Sequence, residues 1–353
     1  MEYPVWHLPA FGGGFWIILV AVLHVYVAHF AVGGGLFLVM TERLARRLDS
    51  RPLRDYLHRY TRFFLLLTMV FGALSGVGIW LVISVLSPQA TLVLVRTFAW
   101  GWATEWTFFA GEIAALLVYY YAFDRLDARR HALVGWCYFL FAFLSLFTVN
   151  GIIDFMLTPG QWPLSLDFWD GFFNPTFWPA LALRFALAVM LAGLFGFATS
   201  LGIAAVEARE TMLRLACRWV VTCLPVLLLA GWWYVGVLPA PVRDFVLRRS
   251  GEIVPYRLAY PLLLLIIGLG ALVLVNRLPL AVRRSLAVVL LLAGLGVVGT
   301  FETLREAARK PWLISGQIWS TDIRPSQAAP YDAPFLPRAK WATVKDVTPD
   351  TRL

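Results

Sequence analysis

Six ionisable residues lie inside long apolar stretches of this 353-residue chain: His24, His29, Glu105, Glu112, Asp154 and Arg184. A charge or an imidazole is costly in hydrocarbon, so each is a functional candidate by default. At 100° per residue His24 shares its helix face with Ala28, Ala31 and Gly35, and that strip of small side chains leaves room beside the ring for a flat macrocycle. His29 lies about 140° round the same helix, so one macrocycle cannot easily be bonded by both rings, although two neighbouring ones could take one each. The plainer alternative is that each imidazole hydrogen-bonds another helix. Glu105 and Glu112, seven apart, stack on one face about 10 Å from each other, a spacing suited to passing protons. Glu105 also sits between Trp102 and Trp106, where a carboxylate can simply be interfacial. Near the end of the last apolar run, Glu302, Glu306 and Arg309 fall near one helical face, as ligands or as a surface salt-bridge ladder.

The elements that must position these residues are membrane helices. Apolar residues make up 60% of the chain and charged ones 14%, and the mean hydropathy is +0.73, more apolar surface than one globular core can hide. Eight runs, at roughly 14–41, 63–87, 103–122, 132–157, 177–206, 219–239, 257–276 and 285–303, each approach the roughly 20 residues that span a bilayer. The expected fold is all-α: a polytopic transmembrane bundle of about eight helices over 1–321, followed by an extended tail over 322–353 that carries Pro330, Pro334, Pro337 and Pro349.

The formal charge of +9 reads as orientation, and nucleic acid is not an expected partner. Arginines crowd alternate connections: Arg43 to Arg62, Arg125 to Arg130, Arg209 to Arg218 and Arg277 to Arg284. Those connections are expected in the cytoplasm, and both termini outside, in the periplasm of a bacterial inner membrane. The stretch 239–257, with Arg243, Arg248, Arg249 and Arg257, runs against the rule. The other connections are aromatic, as in 98–106 and 168–178. The first apolar run is too long for a signal peptide and is expected to be retained. Cys137, Cys217 and Cys223 form no Cys-x-x-Cys pair, so covalent haem and a cysteine metal site are not expected.

His24-Val-Tyr with Glu42 eighteen residues on, Asp124-Arg-Leu twelve after Glu112, Asn150-Gly, and Glu306-Ala-Ala-Arg309-Lys-Pro-Trp312 resemble subunit I of the cytochrome bd quinol oxidases. The resemblance runs from the first helix to the segment after the eighth. It implies His24 as axial ligand of one high-spin haem, Glu306 as axial carboxylate of a second, Glu105 and Glu112 as acids near the pair and Asn150 as a polar group close to them. It further implies Arg309 on the haem propionates and Trp312 beside the cofactor. The cofactor expectation is two haems, of b type and with haem d as an alternative for one.

The departures are informative. That family holds a low-spin haem between a His early in the fifth helix and a Met in the seventh, whereas this chain offers Arg184 among apolar residues and Ala259. The low-spin haem is expected to be missing, or moved to His29. Arg184 then needs an acid or a propionate beside it. The quinol-binding loop is reduced to about 239–256, and no Cys-x-x-Cys-His occurs through Leu353. The expected partners are a separate c-type cytochrome subunit, docked by the tail, other membrane subunits and the lipid bilayer. Two redox functions remain open at this point, a subunit reducing oxygen at a high-spin haem and an electron conduit between quinone pool and a larger complex, beside a haem-free scaffold or transporter.

Overall fold

The computed structural model describes Trp6, Leu8 and residues 11–247, 253–309 and 312–319. In chain order its elements are α1 (Gly12–Arg47), α2 (Arg51–Leu65), a π-helical segment (Leu66–Gly72), α3 (Ala73–Leu86), α4 (Pro88–Thr97), α5 (Ala99–Tyr121), α6 (Ala128–Asp154), α7 (Trp162–Ser165), α8 (Phe168–Phe172), α9 (Phe177–Ser200), α10 (Val206–Gly236), α11 (Ala240–Leu247), α12 (Val254–Leu274) and α13 (Leu280–Arg309), then a hairpin of β1 (Trp312–Ile314) and β2 (Ile318–Trp319). The molecule is a polytopic helical membrane bundle, as its apolar runs require: backbone N–H and C=O groups in lipid must be satisfied within the segment.

Among the described residues seven helices are long and apolar enough to cross a bilayer, with Arg51–Leu86 counting as one. The third run of the sequence, α5, which is not among the seven, packs along α6 as a bundle helix, but Glu105 and Glu112 dilute its apolar character. The stretch 42–62, which reads as a connection, is almost entirely helical. α1 continues through Arg47 and α2 begins at Arg51, because Leu53, Tyr56, Leu57, Tyr60 and Phe64 recur at helical spacing and bury one stripe while the arginines face out. α6 starts at Asp127, whose side chain accepts from the N–H groups of Arg129 and Arg130, both at 3.0 Å.

α9 is apolar all round and mostly buried, the position such a helix must take. It packs against α1, α6, α10 and α13. α1 is approached from three sides at its second glycine triplet: a Cβ on Gly33 would stand 1.9 Å from the Ala188 carbonyl oxygen of α9, one on Gly34 2.4 Å from the Phe64 ring, and one on Gly35 2.3 Å from the Tyr138 ring. The last contact corrects an expectation. The small-residue strip from Ala28 to Gly35 is filled at its Gly35 end by Tyr138, whose hydroxyl donates to the Ala31 carbonyl at 3.2 Å.

The bundle has an arginine-rich end, where α1 meets α2 and α5 meets α6, and an aromatic end carrying α4, α7 and α8. The dissenting arginines of 239–257 have local work: Arg243 donates to the Gly236 carbonyl at the end of α10 (3.3 Å) and Arg257 to the Val246 and Leu247 carbonyls at the end of α11. Cations that close helix C-termini say little about orientation. Arg248, Arg249 and the expected tail over 322–353 lie outside the described residues.

Candidate functional site

Toward the aromatic end, three helices bring six charged side chains into the interior. Asp154 comes from the last turn of α6, Arg184 from the second turn of α9, and Glu302, Arg305, Glu306 and Arg309 from the last turns of α13. Arg184, 1% exposed, lies between two acids, 3.6 Å from Asp154 and 3.4 Å from Glu302, with Phe301 under its guanidinium at 5.6 Å. Arg305 grips the other Glu302 oxygen at 2.7 and 3.0 Å. One turn on, Arg309 pairs with Glu306 and donates to the Leu313 carbonyl at 3.1 Å and to Met156 Sδ. Three carboxylates face three guanidiniums, so formal charge cancels in a place where a net charge would be expensive.

Glu302, Glu306 and Arg309 are therefore buried, at 3%, 7% and 5% exposure, and do not form a surface ladder. The acid that Arg184 requires is supplied twice, by residues 30 positions before it and 118 after it. The hairpin closes the cluster: Ser315 N–H donates to the Met156 carbonyl at 3.0 Å, Trp312 pairs with Trp319, and Trp312 is buried.

The cluster's hydrogen-bonding inventory is incomplete. Both oxygens of Asp154, Nε and Nη2 of Arg184, Nε of Arg309, Oδ1 of Asn150, the Tyr234 hydroxyl and Nε2 of His29 are buried with no hydrogen-bond partner. Buried polar atoms are normally bonded, and a concentration of exceptions marks a site. His29, 3% exposed, interacts electrostatically with Arg184 and Glu302 across the α1 interface. Its Nδ1 is 2.7 Å from the Val25 carbonyl, which can only accept, so the ring proton sits there and Nε2 carries the lone pair. Asn150 spends its amide on the Phe177 carbonyl at 2.9 Å.

His24 stands apart from this cluster, on the α3 side of α1, with Nδ1 3.1 Å from the Ser75 hydroxyl and Gly76 under the ring. Glu105 and Glu112 occupy the α5–α6 seam. Ser145 donates to Glu105 at 3.1 Å and also interacts with Glu112, so one hydroxyl spans the two carboxyl groups that the sevenfold spacing predicts. Among the described residues no three His, Cys, Asp or Glu side chains converge into a metal cage, and the three cysteines are unpaired.

A second polar cluster, at the arginine-rich end, gathers around Glu42, which the sequence singled out, partners that it did not. Glu42 accepts from His131 Nδ1 at 2.7 Å, from the Tyr119 hydroxyl at 2.8 Å and from Arg46, while His131 Nε2 reaches the Tyr119 carbonyl at 3.0 Å. A cavity of about 670 Å³, lined also by Asp49, Arg51, Arg54, Asp55 and Asp124, opens beside it. His131 lies just after two arginines of a basic turn, which hides it in sequence; Arg305 escaped notice for a different reason, since its partner Glu302 sits on its own helix and reads as a surface pair.

No family model and no curated protein matches the chain. Among solved structures it is similar to a chain in the structure of bd oxidase from Geobacillus thermodenitrificans, with a TM-score of 0.72 over 88% of this chain and 89% of that one, at 16% sequence identity. The two chains share a fold over nearly their whole lengths, and the bundle implied by the sequence resemblance is the bundle found.

Proposed function

We propose that this chain is the haem-bearing membrane subunit of a bd-like redox complex in a bacterial inner membrane, with its aromatic end toward the periplasm and its arginine-rich end toward the cytoplasm. The observation that carries the reading is the set of unpartnered buried polar atoms beside Glu306 and Arg309, in a fold shared with a bd oxidase chain. The donors among them, Nε and Nη2 of Arg184, Nε of Arg309 and the Tyr234 hydroxyl, fit a cofactor edged with carboxylates. Haem, when bound, supplies an iron that exchanges electrons and, with an axial position open, binds a small molecule such as oxygen.

His24 through Nε2 and Glu306 through its carboxylate would hold the irons of two haems, of b type or of one b and one d. Arg309 is suited to a propionate by its planar guanidinium, with Asn150 and Trp312 at the same end. Glu105 and Glu112 hold and pass protons, with Ser145 between them. Arg184 with its two acids stands at the α9 position where the resembled family carries an imidazole, which supports the reading that the family's low-spin haem is missing here. His29 is the alternative ligand for it. The tail over 322–353 is proposed to dock a c-type cytochrome subunit, since β1 and β2 bring the chain out beside the Glu306–Arg309 pair.

Pyridine haemochrome analysis of the purified protein is expected to give two non-covalent haems, with one lost in His24→Ala and one in Glu306→Ala. No haem, or both retained in both variants, overturns the assignment. Carbon monoxide binding to the reduced protein supports reduction of oxygen; failure to bind it makes the subunit an electron conduit. Deleting 325–353 is expected to preserve the haem spectrum and slow reduction by the cytochrome.

A further inference from the structure

We infer that Ser75 is the positioning residue of His24, fixing the ring proton on Nδ1 so that Nε2 presents its lone pair. The inference rests on the reading that His24 holds a haem.

The Ser75 hydroxyl has a single proton and donates it to the Gly72 carbonyl at 3.0 Å, a bond back along its own helix. With its proton engaged there, the hydroxyl oxygen presents a lone pair to His24 Nδ1, 3.1 Å away, and the imidazole is the donor. Nδ1–H is thus favoured and Nε2 is left unprotonated. A ligating histidine whose other nitrogen donates to a fixed acceptor is both oriented and made more basic.

The backbone brings these groups together by two local features. The π-helical segment ends at Gly72, three residues before Ser75, and such segments are frequent at functional sites. Gly76 lies directly under the ring, where a Cβ would stand 3.3 Å from His24 Cε1, so a side chain there would press the imidazole out of line. His29 reaches the same tautomer through the Val25 carbonyl of its own helix. His24 differs in depending on another span, which makes its arrangement separable by mutation.

The test compares the wild-type chain with Ser75→Ala and Ser75→Thr. In the full-length protein depleted of haem and labelled with ¹⁵N-histidine, the His24 signal, assigned by its loss in His24→Ala, is expected to be that of the Nδ1–H tautomer in wild type and Ser75→Thr and a mixture in Ser75→Ala. In the haem-loaded protein, Ser75→Ala is expected to weaken retention of one haem by roughly 10- to 100-fold and to raise its reduction potential, because the ligand loses basicity; Ser75→Thr restores both. An Nε2–H tautomer in wild type overturns the inference even if Ser75→Ala fails to fold. So does a Ser75→Ala protein equal to wild type in tautomer, retention and potential. Full haem retention in His24→Ala defeats the haem reading instead, and the tautomer measurement still decides the role of Ser75.

Discussion

The two ends of the bundle each bury a charged cluster, and the clusters differ in how completely their hydrogen bonds are made. At the arginine-rich end both oxygens of Glu42 and both nitrogens of His131 are bonded. At the aromatic end the charges of Asp154, Arg184, Glu302, Arg305, Glu306 and Arg309 balance, yet seven atoms of Asp154, Arg184, Arg309, His29 and Tyr234 make no hydrogen bond. A polar network with every member satisfied rigidifies a core; one left open holds groups ready for something else. Within these two clusters it is completeness, more than the number of charges, that differs.

The strongest way to break this contrast is Arg184→Leu. It leaves Asp154 and Glu302 buried without their shared cation, and removing one partner of a buried pair costs about 3–5 kcal/mol. Thermal unfolding in detergent is expected to show that loss, and Arg184→Leu combined with Asp154→Asn is expected to recover part of it. An equal loss in both variants removes the Asp154 contribution. At the other end, His131→Ala leaves Glu42 short of a donor and is expected to cost about 1–3 kcal/mol while leaving haem content unchanged. Haem loss in that variant would erase the distinction between the ends. Between them, Gly33→Ala drives a methyl into the Ala188 carbonyl and is expected to cost about 1–3 kcal/mol by prising α1 from α9.

The smallest effect is a pH dependence at Asp127, which lies outside the spans and is fully exposed. The N–H of Arg130 above all, with that of Arg129, holds its carboxyl below the usual aspartate range. A pKa depressed on folding adds stability that is present above the unfolded value and lost as pH falls through the folded one. Melting curves between pH 6 and the acid limit are therefore expected to separate wild type from Asp127→Asn at the upper pH and to converge in acid.

The apolar runs and the spacing of Glu105 and Glu112 are legible in the sequence because each is a property of one helix, set by its own period. The partners of Arg184 are not, since 30 and 118 residues separate it from Asp154 and Glu302 and nothing in a single helix says which neighbour it will face. The same limit hid Tyr138 against Gly35 and Ser75 against His24, both contacts between helices. Arg243 and Arg257 run against the charge rule for a different reason: a rule about loops meets side chains engaged in closing helix ends.

The π-helical segment Leu66–Gly72 makes the span from Arg51 to Leu86 one residue longer than an α-helix covering the same rise. Because its wide turn absorbs that residue, deleting one within it would close the α-ladder and leave α2 and α3 nearly in the same rotational setting, with Ser75 still facing His24. Deleting Ala73 or Leu74, in the regular helix just after it, would instead turn Ser75 and Gly76 about 100° away from the face set by Tyr56, Tyr60 and Phe64. Two losses of equal length, a few residues apart and equally tolerable to membrane insertion, are thus told apart by the imidazole alone.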